Sequence, residues 1–112
     1  MPIDPALVDI DEISPRDLSS QKSSYVLIDV RNPDEFIGEL GHVPDSKLIT
    51  LGPDFEQFLK DADKTQNYVF ICRSGRRSDN AARLAKCHGF ERATNMLGGM
   101  IAWNHDKLPV SR

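Results

Sequence analysis

The sequence predicts an α/β fold, a five-stranded and mostly parallel sheet with helices on both faces. Three observations predict it. Short β-rich runs alternate with helical patterns along the chain, the order that a parallel sheet with crossover helices requires. The runs Tyr25-Val26-Leu27-Ile28 and Tyr68-Val69-Phe70-Ile71 are apolar at every position, as strands covered on both sides are. A chain of 112 residues suits one domain spanning 1–112, and a domain of that size buries ~65% of its unfolded surface without disulfides or metals.

The elements follow in order. Ala6 to Ile10 reads as a weak first strand. Ser14 followed by Pro15 is an N-cap with proline at the first helical position, so a short helix starts there. Tyr25 to Val30 is the second strand, and Asn32-Pro33-Asp34-Glu35-Phe36 begins another short helix. Lys47 to Leu51 is the third strand, and Pro53 to Leu59 a helix with Phe55, Phe58 and Leu59 on one face. Tyr68 to Ile71 is the fourth strand. The helix after it, starting near Ser78, carries Ala81, Leu84, Ala85 and His88 on one stripe and stops at Gly89. Ala93 to Leu97 is the fifth strand, Gly98-Gly99 a turn, and Met100 to Trp103 a last helical turn.

The segment between the fourth strand and its helix is where the chemistry concentrates. Ligands of such sheets bind beyond the carboxyl ends of the strands, and Cys72 stands at one of those ends. Arg73, Ser74, Gly75, Arg76, Arg77 and Ser78 follow it. A tight loop at a helix N-terminus turns successive N–H groups inward as an anion nest, and the helix dipole adds positive potential. Gly75 lets the backbone turn with positive φ. A cysteine in that setting is a thiolate nucleophile that needs no histidine base. Three arginines at a helix start are unfavourable unless an anion is present, so they imply an anionic substrate. Cys87, on a helix face, reads as a packing residue.

Composition excludes several other classes. A net charge of −3 argues against a nucleic-acid binder, which needs a broad basic face. No run approaches a membrane span, and "MPIDPALVDIDEISP" has neither the basic start nor the apolar middle of a signal peptide. Two cysteines without an export signal point to the cytoplasm and free thiols. Neither Cys72 nor Cys87 has a partner at metal-ligand spacing, and His42, His88 and His105 are scattered, so no metal and no cofactor are expected.

The segment "CRSGRRS" after an apolar strand resembles the active-site loop of single-domain rhodaneses, the sulfurtransferases that carry sulfur as a cysteine persulfide. "LIDVRNPDEFIGELGHVPDSKLI" resembles the family's Asp-Val-Arg…Glu-Phe…Gly-His-Ile-Pro-Gly-Ala segment, and "NMLGGMIAWNHDKLPV" its terminal Leu-x-Gly-Gly…Trp…Gly-x-Pro segment. The resemblance covers about residues 13–110. It implies a rhodanese-like fold with Cys72 as the persulfide-forming nucleophile and Arg73, Ser74, Gly75, Arg76, Arg77 and Ser78 as the substrate-binding cradle. Asp29, Arg31 and Glu35 match the Asp-Val-Arg and following Glu positions and read as a structural ion-pair network near the site; the alternative is that Glu35 pairs instead with a loop arginine and moderates its charge. His42 reads as architectural.

Two loops depart from the family pattern. Pro44-Asp45-Ser46 stands for Pro-Gly-Ala, and Lys107-Leu108-Pro109 for Gly-x-Pro. The resemblance implies double displacement, with sulfur passing from a small anionic donor such as thiosulfate to Cys72, and then to a thiol or protein acceptor or, in vitro, to cyanide. A monomer or weak homodimer is expected. Two other classes compete. Cysteine-dependent phosphatases and arsenate reductases have related loops, but of the form Cys-x5-Arg, whereas Cys72 to Arg77 is the shorter Cys-x4-Arg. A non-catalytic binding module on the same fold would have no need of a thiol within its full cradle.

Overall fold

The computed structural model describes residues 4–112. Its sheet has five strands, β1 (Asp11–Ile13), β2 (Val26–Asp29), β3 (Lys47–Leu48), β4 (Asn67–Ile71) and β5 (Arg92–Met96), in the order β1-β5-β4-β2-β3. Every pairing in it is parallel. The helices are α1 (Pro15–Gln21), α2 (Pro33–Phe36), α3 (Pro53–Asp61), α4 (Arg76–Cys87) and α5 (Gly99–His105).

Central strand β4 shows why its sequence has no polar face. Tyr68 and Phe70 point into one core cluster with Phe55 and Leu59 of α3 and Ala81, Ala82 and Ala85 of α4. Val69 and Ile71 point into the other, with Leu18 of α1 and Met100 and Trp103 of α5. Alternate residues of one strand thus feed opposite layers. Helices lie on both faces, as the sequence predicts.

Three differences from the sequence expectation bear on the architecture, besides α5 running from Gly99 to His105 rather than Met100 to Trp103. Residues Pro5–Leu7, overlapping the start of the expected first strand, form a 3-10 turn capped by the Asp4 carboxylate on the Ala6 amide at 2.9 Å. Strand β1 begins instead at Asp11, pairing with β5 from Asp11↔Thr94 to Ile13↔Met96. It is a polar edge strand of mostly exposed residues, so hydrophobic patterning carries no trace of it. Strand β3 is also shorter than expected. Beyond Leu48 the chain still follows β2 through Ile49 N–H to Asp29 C=O (2.8 Å) and Leu51 N–H to Val30 C=O (3.1 Å), without regular pairing.

The third difference concerns α4, which starts at Arg76, two residues before Ser78. Gly75 immediately precedes it with φ of 94°, a left-handed conformation that closes the loop early. The buried stripe is accordingly Ser78, Ala81, Ala82 and Ala85, while His88 is exposed. Gly89, with φ of 90°, ends the helix as expected.

Candidate active site

The carboxyl ends of β2, β4 and β5 come out on one edge of the sheet, and the loop from Cys72 to Ser78 lies there, whereas Cys87 is at the far end of α4. Cys72 follows β4 directly and is fully buried at the bottom of its loop. Two donors reach its sulfur: the Gly75 amide at 3.1 Å and the Ser78 hydroxyl at 3.2 Å. Ser78 is itself buried, on the first turn of α4. The amides of Ser74, Arg76, Arg77 and Ser78 donate to no backbone carbonyl outside α4, so they remain available around the sulfur. Such a ring of N–H groups at a helix start binds negative charge.

What turns the amides inward is the other side of the loop. The carbonyls of Cys72 and Arg73 are pulled outward by the amides of Met100 (2.8 Å) and Ile101 (3.0 Å) at the start of α5. This approach requires Gly99. A Cβ there would lie 2.5 Å from the carbonyl oxygens of both Cys72 and Arg73. Gly75 is approached from the other direction, less tightly, since a Cβ on it would stand 3.0 Å from the Gly98 amide. The Gly98-Gly99 pair, which in sequence reads as turn chemistry alone, is therefore part of the scaffold of the nucleophile loop. Two adjacent glycines just after the fifth strand, which neighbours the cysteine strand, were the available signal.

The three arginines have different environments. Arg77 forms a two-pronged ion pair with Glu35, both contacts at 2.8 Å. The Arg77 hydrogen bond, opposed in part by burial and helped by the Asn32 amide, holds the Glu35 carboxyl at about 2 against an ordinary 4.5. Glu35 and the Cys72 sulfur both push Arg77 further toward its charged form. The alternative in which Glu35 pairs with a loop arginine is the one observed, and that guanidinium is directed to a carboxylate. Arg73 and Arg76 have exposed side chains, and among the described residues no carboxylate forms an ion pair with either. Arg73 borders a cleft of about 300 Å³ shared with Asp34, Glu35 and Leu40.

Asp29 and Arg31 form a separate, fully buried pair beneath this layer. The Arg31 guanidinium meets Asp29 at 2.8–3.1 Å and also donates to the Gly41 carbonyl at 2.7 Å. Arg31 thereby ties the end of β2 to the segment carrying His42. His42 stacks on Phe36 with ring centroids 3.6 Å apart and donates from Nδ1 to the Phe36 carbonyl, which explains its architectural reading.

Asn95 is a second site residue whose role sequence reasoning missed. It is buried on β5, donates from Nδ2 to the Gly75 carbonyl at 3.0 Å, and accepts from the Ser78 hydroxyl at 2.5 Å. An asparagine in the middle of an otherwise buried strand was the signal, because a buried amide must have partners. Elsewhere, a cavity of about 560 Å³ between β2, β3 and α3 shares no residue with the loop. Among the described residues no cluster of three His, Cys, Asp or Glu side chains is placed to hold a metal, and no helix is long and apolar enough to cross a membrane.

Comparison with known proteins agrees with this geometry. The model of the rhodanese-like domain matches residues 14–106. YtwF of Bacillus subtilis (strain 168), a provisionally assigned sulfurtransferase, is 42% identical over 83 residues, or 74% of this chain and 77% of that protein. The thiosulfate sulfurtransferase GlpE of Vibrio cholerae is 30% identical over 101 residues, covering 90% of this chain and 92% of GlpE. Other curated relatives are longer, and the chain spans 54% of one and 42% of another. Among solved structures, a rhodanese-related protein from Thermoplasma volcanium shares 26% identity with a TM-score of 0.76, over 90% of this chain and 97% of that one.

Proposed function

Because the chain belongs to the rhodanese-like domain family of sulfurtransferases, we propose that it moves sulfane sulfur through a Cys72 persulfide, with thiosulfate as donor. The observation that carries the reading is the cradle of Cys72, in which two donors meet the sulfur and further loop amides remain available for a second sulfur atom. The Cys72 thiolate attacks the outer sulfur of thiosulfate; the S–S bond of the donor breaks and sulfite leaves with its electron pair. The negative charge now sits on the outer sulfur of the persulfide, where the loop amides surround it. A nucleophilic acceptor (cyanide in vitro, a thiol or a protein in the cytoplasm) then takes that sulfur and returns Cys72 to the thiolate. Sulfite is a weakly basic leaving group, so the first step needs no general acid. Asp79, next after the loop, is paired with Arg83.

The rival phosphatase chemistry is disfavoured by two features. Only four residues separate Cys72 from Arg77, and the guanidinium that would clamp a phosphoryl group is engaged by Glu35. A binding module without catalysis leaves the sulfur-directed donors unexplained. Intact mass spectrometry after thiosulfate treatment tests the proposal. We expect a gain of one sulfur atom, removed by cyanide, lost in Cys72→Ser and kept in Cys87→Ser. A sulfur gain that persists in Cys72→Ser overturns it.

A further inference from the structure

Ser78 faces two acceptors with one proton. Its Oγ lies 2.5 Å from Asn95 Oδ1 and 3.2 Å from Cys72 Sγ. The orientation of Asn95 is forced by its other partner. The Gly75 carbonyl can only accept, so the amide atom 3.0 Å from it is Nδ2, and Oδ1 is the end that meets Ser78. Oδ1 can only accept in turn. A hydroxyl has a single hydrogen, so Ser78 donates to Asn95 or to the sulfur, not to both at once.

We propose that Asn95 is a positioning residue for Cys72, holding the Ser78 proton off the sulfur while the sulfur is neutral and releasing it when the sulfur is an anion. With Cys72 as a thiol, S–H donates to Ser78 Oγ and Ser78 donates to Asn95, a chain in which every group is satisfied. With Cys72 as a thiolate, that arrangement would set an oxygen lone pair against a negative sulfur. The hydroxyl then rotates toward Sγ, and Asn95 Oδ1 gives up its donor. In the persulfide, Sγ is a neutral bridging atom and the charge lies on the outer sulfur, so the proton turns back to Asn95. When an acceptor attacks the outer sulfur, the S–S bond breaks and its electron pair stays on Sγ. Ser78 then turns its proton onto the departing thiolate. Ionisation of the thiol releases its own proton to solvent; between the thiolate and the persulfide the hydroxyl only rotates, and no proton enters or leaves the site. Meanwhile Nδ2 holds the Gly75 carbonyl, keeping the Gly75 amide 3.1 Å from Sγ in both states.

The catalytic use of this exchange rests on the sulfur-transfer reading; the exchange itself does not, and alkylation of Cys72 reports it without any sulfur donor. The charged groups around the sulfur are the same in every variant compared: Arg73 of the loop, Arg76 and Arg77 of α4 with Glu35 of α2, and Asp29 with Arg31 at the end of β2. Asn95 on β5 is neutral, and α5 brings backbone amides to the loop.

The test is the pH profile of iodoacetamide alkylation at Cys72, followed by mass spectrometry of its peptide. Asn95→Ala frees the Ser78 proton for the sulfur, and we expect roughly tenfold faster alkylation near about pH 6, with the profiles converging in alkali. In a Ser78→Ala background the same Asn95→Ala change should give no acceleration. Equal acceleration in both backgrounds overturns the proposal, because Asn95 would then act on the loop alone. No acceleration in the presence of Ser78 overturns it as well. Should Asn95→Ala not fold, proton NMR of the wild-type chain decides: the Ser78 hydroxyl proton should contact the Asn95 side chain at low pH and leave it at high pH. A contact unchanged across that range overturns the exchange.

Discussion

Glu35 and Arg77 meet through two parallel hydrogen bonds of 2.8 Å, joining α2 to the first turn of α4 across 42 residues of sequence. The pair does two jobs from one geometry. It braces the cradle from outside, and it removes the innermost arginine from competition for small anions.

A pH-dependent stability follows from it. The Glu35 carboxyl titrates at about 2 in the folded chain against 4.5 ordinarily, a lowered value, so its stabilisation is complete above the ordinary value. That stabilisation is lost as pH falls through the window between the two. The Arg77 side chain is 40% exposed, and solvent screening limits the pair to about 1 kcal/mol. Urea titrations should show the wild type losing about that much between about pH 5 and pH 2, and Glu35→Gln losing measurably less. Identical pH profiles would show that the pair carries no net stabilisation.

Gly99 supports the loop from the opposite side, and Gly99→Ala should break it. The new Cβ would sit 2.5 Å from backbone atoms of Cys72 and Arg73, at a φ of 59° that already disfavours a side chain. A loop displaced by ~1 Å loses on the order of 10²-fold in rate. Gly89→Ala is the control: its φ of 90° imposes similar strain, but the nearest contact is Lys64 Cδ at 3.8 Å, far from the loop. Melting temperature should fall in both, and sulfur transfer by the folded protein should fall only in Gly99→Ala.

The legibility of this site from sequence divides along physical lines. Cys72, Gly75 and the arginines are readable because loop chemistry is local, decided by residues adjacent in the chain. Strands β2 and β4 are readable because burial on both faces leaves an unbroken apolar run. Strand β1 is not, since an edge strand of exposed Asp11 and Glu12 is defined only by its partner β5. Asn95 and Gly99 were missed for the same reason. Their roles are contacts with the cradle across 17 or more residues, and no spacing rule encodes them.

Two departures from the family pattern have a backbone consequence. Asp45 and Lys107, which stand where the family carries glycine, are the two non-glycine residues with positive φ among the described residues, at 74° and 57°. Lys107 follows the end of α5, where a left-handed residue caps a helix and glycine is preferred. Lys107→Gly should therefore stabilise the chain by about 0.5–1 kcal/mol. Asp45→Gly should gain less, because aspartate tolerates this conformation and the Asp45–Lys22 ion pair at 3.2 Å would be lost. Differential scanning calorimetry of both variants checks the order.

Arg73 and Arg76 remain the cations open to a dianionic donor. Alanine at either should raise KM for thiosulfate more than it lowers kcat, because attraction to the donor's charge is their main contribution. Loss of one charge-assisted hydrogen bond corresponds to ~1.5–3 kcal/mol, or roughly 10–150-fold in kcat/KM. Both side chains are exposed, so the effect should shrink with added salt. Unchanged thiosulfate kinetics in both variants would assign these arginines to the sulfur acceptor instead.

Loop length decides between sulfur and phosphoryl chemistry, and it can be altered directly. Gly75 is wedged between the Cys72 sulfur, 3.1 Å from its amide, and the Gly98 backbone. One glycine inserted between Gly75 and Arg76 makes the loop Cys-x5-Arg and must push its amides outward, since Gly98 closes the other direction. Misplacement by ~1 Å should cost sulfur transfer on the order of 10²-fold. The widened ring should bind vanadate more tightly than the wild type, provided Arg77 leaves Glu35; adding Glu35→Gln should enhance the binding further by loosening that pair. Wild-type protein should hydrolyse aryl phosphates negligibly. A Cys72-dependent aryl phosphate hydrolysis faster than its sulfur transfer would reverse the assignment and make the short loop an oxyanion-hydrolysing site.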